Sequence, residues 1–119
     1  GVDNGGFYLK VNAGGVSAFS VWNNAEKSIT GATLTNNVWY FLMGTFDGTT
    51  VNLYVNRAIQ GAGTAYTGAI GSHTTAALNF SPVGQPVIGL EGENWIYNRS
   101  LTAQEITQIY NATKWRYGL

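Results

Sequence analysis

The stretch Val38-Trp39-Tyr40-Phe41-Leu42-Met43-Gly44-Thr45-Phe46-Asp47-Gly48-Thr49-Thr50-Val51-Asn52-Leu53-Tyr54-Val55-Asn56 decides how this chain is read. Its opening run, 38–46, is apolar on both faces of an extended backbone, as suits a central strand covered on both sides. Asp47-Gly48 is the residue pair of a tight hairpin turn. Beyond it Val51, Leu53 and Val55 alternate with Asn52, Tyr54 and Asn56, the period-2 pattern of a second strand.

Toward the N-terminus the same period recurs. Over 7–13, Phe7, Leu9 and Val11 fall on one face, and Tyr8, Lys10 and Asn12 fall on the other. A second run, 17–23, follows Ala13-Gly14-Gly15, and two hairpin registers compete. A two-residue Gly14-Gly15 loop sets Phe7 opposite Trp22 and leaves Phe19 on the face of Lys10. A three-residue loop with Gly15 left-handed pairs Phe7 with Val21 and Leu9 with Phe19. The second gathers the aliphatic residues on one face and is preferred. It leaves Tyr8 and Trp22 as diagonal neighbours beside Lys10. A weaker strand is expected over 27–33, centred on Ile29, before a turn at Thr35-Asn36-Asn37.

Toward the C-terminus, 61–75 is rich in Gly, Ala and Thr and reads as loop. Short strands are expected at 76–80 and 86–90, with Pro82 and Pro86 marking breaks or edges. The chain then changes character. Thr102 and Glu105 have the spacing of a capping box, and Ile106, Ile109 and Tyr110 recur at helical spacing, so a short helix is expected over 103–112. A run of strands closed by one small helix is an all-β sandwich with a helical appendix.

The composition narrows the function. The 119 residues fit one domain, 1–119, with a real core. The 6 basic and 6 acidic side chains cancel, which removes the attraction that nucleic acid requires of a partner. The longest apolar run, Val38 to Met43, is six residues, far short of a membrane-spanning helix. With no Cys there is no disulfide framework, thiol nucleophile or thiolate metal site. Gly5-Gly6 leads within two residues into a strand-like run, and Met43 is the only Met, as expected of a processed or excerpted part of a longer chain.

Two stretches resemble the laminin-G-like members of the concanavalin-A-like lectin/glucanase superfamily. The first is Trp39-Tyr40 through Gly44–Val51 to Leu53-Tyr54-Val55-Asn56, and the second is Ile96-Tyr97-Asn98-Arg99-Ser100-Leu101-Thr102 with Glu105-Ile106. The resemblance implies an antiparallel jelly-roll β-sandwich with a short C-terminal helix, and the ending Tyr110–Leu119 is similar to the ends of such domains in bacteriophage virion structural proteins. There are three departures. Strands that members carry before Phe7 are absent. The Asn-Gly turn of the family reads Asn56-Arg57, poor where a positive φ is wanted. The 90–95 segment is short, so a strand is trimmed or rerouted. Missing strands leave backbone edges unpaired and an apolar face uncovered. Either the chain is part of a larger polypeptide that supplies these strands, or protein subunits, pairing through sheet edges or completing the domain, are the expected partners.

The resemblance raises three chemistries. Retaining glycosidases need two carboxylates about 5–5.5 Å apart. Glu91 and Glu93 are the nearest pair, but Gly92 between them suggests a turn, and the E-x-D-x-x-E strand of glucanases is missing. They read as solvated loop carboxylates, His73 reads as an exposed loop residue, and no catalytic residue is assigned. Many relatives hold Ca²⁺, which takes six to eight oxygen ligands. The carboxylates here are scattered, Asp47 is expected to bond its own turn backbone, and neither metal nor cofactor is expected. Carbohydrate is the third. Tyr8, Lys10 and Trp22, exposed together in the preferred register, would form a platform for a surface glycan, set against the plainer reading that other strands or a subunit cover this face. Trp39 reads as core, and Trp95 and Trp115 are expected to pack the closing strand and tail onto the body. The sequons at Asn79, Asn98 and Asn111 matter only in a eukaryotic secretory host. The expected role is a non-catalytic structural or assembly module of a virion surface or extracellular assembly, with glycan-binding adhesion as the alternative and a glycoside hydrolase remnant third.

Overall fold

The computed structural model describes residues 5–72 and 89–119. The strand expected at 76–80, its neighbour at 86–90 except Gly89 and Leu90, and His73, Asn79, Pro82 and Pro86 lie outside the described residues.

The N-terminal hairpin follows its side-chain alternation. Strands β1 (Gly5–Val11) and β2 (Val16–Asn23) pair antiparallel with Phe7 opposite Val21 and Leu9 opposite Phe19. The Asn12 amide donates to the Val16 carbonyl at 2.7 Å, leaving a three-residue loop in which Gly14 (φ 81°) and Gly15 (φ 83°) are left-handed. Both conformations are open to glycine at no steric cost. β3 (Glu26–Thr33) pairs with the other edge of β2 and completes a three-stranded sheet, A. The β2–β3 register shifts between Val16 and Ala18, where the Ser17 hydroxyl donates to the Ala32 carbonyl at 2.9 Å.

Sheet B is built on β4 (Leu42–Phe46) and β5 (Thr50–Val55), with the two-residue strands β6 (Ala58–Ile59) and β7 (Thr64–Ala65) along the far side of β5. The Asp47 carboxylate ties the β4–β5 turn, accepting from the Thr49 amide (2.8 Å), the Thr49 hydroxyl (2.9 Å) and the Thr50 amide (2.7 Å). These bonds hold its pKa below the ordinary carboxylate value.

Regular pairing in the central stretch begins at Leu42, four residues later than expected from Val38. The Asn56 side chain accepts from the Phe41 amide at 2.9 Å while its own amide donates to the Phe41 carbonyl at 2.8 Å. A side chain thus takes the place of the strand, and the preceding residues turn away. The Tyr40 hydroxyl accepts from the Thr35 amide, and Trp39, half-buried at the periphery, lies against Tyr117 with ring centroids 4.7 Å apart.

The Asn56-Arg57 turn also forms, with both residues left-handed (φ 45° and 67°). A left-handed Arg costs about 1–2 kcal/mol relative to a relaxed one. Its guanidinium lies 5.5 Å from the Tyr110 ring centroid, a contact that glycine could not make and that offsets part of this cost.

Three layers result. Phe19, Val21 and Ile29 of sheet A meet Val51 and Leu53 of sheet B, with Phe46 and Tyr66 at the rim. Gly44 lies directly beneath Phe19, so that a Cβ there would overlap the ring. On its other face sheet B turns Met43 and Tyr54 to a helix, α1 (Ala103–Thr113), which supplies Ile106, with Leu101 just before it. The central stretch is apolar on both faces because it is sandwiched between a sheet and a helix.

The start of α1 explains the second recognised motif. The Thr102 hydroxyl accepts from the Glu105 amide and the Glu105 carboxylate accepts from the Thr102 amide, a complete capping box. Leu101 before the cap and Ile106 in the first turn are buried in one cluster, as in a hydrophobic staple. Arg99 grips Glu105 through two bonds, of 3.0 and 2.5 Å. The motif docks the helix.

Residues 90–102 preceding it contain no strand, so the closing strand expected at Ile96 is absent. Trp95 and Trp115 are 40% and 71% exposed, which corrects the expectation that they pack the tail onto the body. Tyr117 does so instead, on Trp39 and close against Gly92. Among the described residues no helix is long and apolar enough to cross a membrane.

Candidate binding face

Sheet A turns Phe19 and Val21 inward, so alternation sends Ala18, Ser20 and Trp22 outward. Pairing then sets three cross-strand rows on the outer face. Lys10, Ala18 and Thr30 form one, Tyr8, Ser20 and Ser28 the next, and Gly6, Trp22 and Glu26 the third. The structure therefore brings Tyr8, Lys10 and Trp22 onto one face, with Tyr8 and Trp22 in adjacent rows. Tyr8 is exposed and Trp22 half-buried.

Between the large side chains the middle of this face is built of small ones. Ala18 and Ser20 are fully buried although they point outward. The Lys10 ammonium reaches diagonally across β2 to the Glu26 carboxylate, 3.0 Å away. Beneath this bridge the Ser20 and Ser28 hydroxyls are hydrogen-bonded to each other at 3.0 Å. The Glu26 pKa is held below its ordinary value, first by a hydrogen bond to Ser20 and then by Lys10. The face is therefore internally neutralised, two aromatic rings flanking a satisfied ion pair. Glu26 and the two serines were not singled out from the sequence. Counting back from the Ile29–Phe19 pair would have placed Glu26 opposite Trp22, but that pairing comes from the β2–β3 register.

The other candidate residues do not assemble. Glu91 and Glu93 lie on an irregular segment, and Glu93 is engaged by the Arg116 guanidinium. Among the described residues no group of three or more His, Asp or Glu could hold a metal ion. Asn98 and Asn111 are exposed.

Two antiparallel sheets sharing one core, closed by a capped helix, define a sandwich of the lectin type. The chain belongs to the Laminin_G_3 family of the concanavalin A-like lectin/glucanases superfamily, which matches residues 1–107. Among solved structures it is similar to an S-layer domain-containing protein from Clostridium thermocellum, at 26% identity and a TM-score of 0.49. That likeness covers 91% of this chain and 57% of the other, so the chain spans little more than half of its length. Comparison with curated proteins gives no match.

Proposed function

We propose that this domain is a non-catalytic contact module of a surface or extracellular assembly. One observation carries this reading. Phe7 and Leu9 point toward the core side of sheet A and yet are 48% and 46% exposed. Large side chains left open on the side of a sheet that should be covered mark a surface built for another protein. The paired state of Glu93 and the irregular backbone between it and Glu91 support the non-catalytic part. A virion surface is one such setting, and it rests on the likeness of the Tyr110–Leu119 ending alone. The test is solution mass and thermal melting of the chain across concentrations. Self-association or co-assembly is expected, and a sharp monomer with cooperative melting at every concentration would sink the proposal.

A second reading is favoured by the open face of Tyr8 and Trp22, whose rings could stack on a sugar while Lys10, Glu26 and Ser28 bond its hydroxyls. Binding on a glycan array that is abolished by Trp22→Ala in a folded protein would support it. Lack of binding to any glycan would remove it.

A further inference from the structure

We propose that β1 pairs antiparallel with β1 of a second copy of this chain, about a two-fold axis at Leu9, joining two A sheets into one. This deepens the assembly reading, on which it rests, by naming the surface and its occupant.

The backbone sets which groups are available. Asn12 bonds toward β2, and the Gly6 amide also points that way, to the Gly71 carbonyl wedged at the end of the hairpin. Alternation then turns Tyr8 and Lys10 toward β2 and sends the amides and carbonyls of Phe7, Leu9 and Val11 to the opposite edge. Among the described residues β1 pairs only with β2, and no described strand lies along that edge. The same three residues carry the apolar side chains, of which Phe7 and Leu9 are about half exposed.

β1 also lacks the devices that protect an edge. It runs seven residues against β2 without a register shift and contains no Pro. Its single charge, Lys10, points to the other face and is paired with Glu26. A long, regular, apolar edge of this kind is a template for strand addition.

The pattern of β1 is complementary to itself. With the axis at Leu9, Phe7 meets Val11 of the second copy, and Tyr8 meets its Lys10, a ring against a cation. No like charges stand opposite each other. Three hydrogen-bonded pairs exchange about six bonds. An axis at Tyr8 would instead set Tyr8 against its own copy and Lys10 against Gly6, giving up the contact between ring and cation. A two-fold contact of this type closes on itself and ends at a dimer.

The chain has no native Cys, which makes the test direct. Opposed residues of a hydrogen-bonded pair have Cα atoms about 5.5 Å apart, within disulfide reach. Sedimentation should give twice the monomer mass. Leu9→Cys should cross-link the dimer on mild oxidation, and Tyr8→Cys should not. Leu9→Lys, at a half-exposed site, should return the chain to monomer with its melting temperature kept. A mass above monomer that survives Leu9→Lys, or cross-linking through Tyr8→Cys, would overturn the pairing and leave the assembly reading standing. A monomeric wild type at every concentration would overturn both.

Discussion

The two outer faces of this sandwich received opposite treatment. Sheet B presents Met43 and Tyr54, and α1 covers them with Ile106 and the staple residue Leu101. Sheet A presents Ala18, Ser20 and Ser28 between Tyr8, Trp22 and an ion pair, and among the described elements none packs on it. The difference lies in what each face would lose in water. Met and Tyr side chains must be covered, whereas small residues bonded to one another are already satisfied. The first face is therefore closed by a device encoded next to it in the chain. The second satisfies its polar groups within the sheet itself.

The contrast can be broken most severely at Ile106. It is fully buried, so Ile106→Ala should cost about 2–4 kcal/mol in denaturant unfolding and loosen α1 before the sheets. Thr102→Ala should cost about 1 kcal/mol by removing the cap acceptor, with faster amide exchange confined to the first turn of the helix. The acid response sharpens the comparison further. The Glu105 carboxyl is held down from 4.5 to about 2, mainly by Arg99 and next by the Thr102 amide. A carboxyl lowered in the folded state stabilises fully above its ordinary pKa and loses that contribution as pH falls through the lowered one. The helix should therefore loosen between about pH 4.5 and pH 2, as read by amide exchange in 103–113. Arg99→Gln should move that loosening to higher pH, and an unchanged profile would remove Arg99 from the account. The smallest effect belongs to the open face. Lys10→Gln breaks a largely exposed pair and should change stability by under about 1 kcal/mol, while the Glu26 carboxyl rises toward its ordinary value in a titration followed by NMR.

Legibility followed the range of the interaction. The β1–β2 register could be read because Phe7, Leu9, Phe19 and Val21 all have to share one face. The helix start could be read because Leu101, Thr102, Glu105 and Ile106 are a local set with one arrangement. The start of β4 could not, since Asn56, fifteen residues from Phe41 along the chain, supplies the competing bond. Nor could the outward exposure of Trp95 and Trp115, which depends on what neighbours reach them. Asn56-Arg57 looked unfavourable as a turn because the Tyr110 ring that receives Arg57 lies on a helix far along the chain.

The sequence by itself determined the class of fold, the hairpins, the capped helix and the grouping of Tyr8, Lys10 and Trp22, because periodicity and turn chemistry act between near neighbours. Only the tertiary structure decided which faces are closed. The helix went to sheet B, the Lys10–Glu26 bridge closed over Ser20, and the outer edge of β1, paired with no described strand, lies beside exposed Phe7 and Leu9. Those outcomes depend on contacts between residues far apart in the chain, whose energies no local pattern contains.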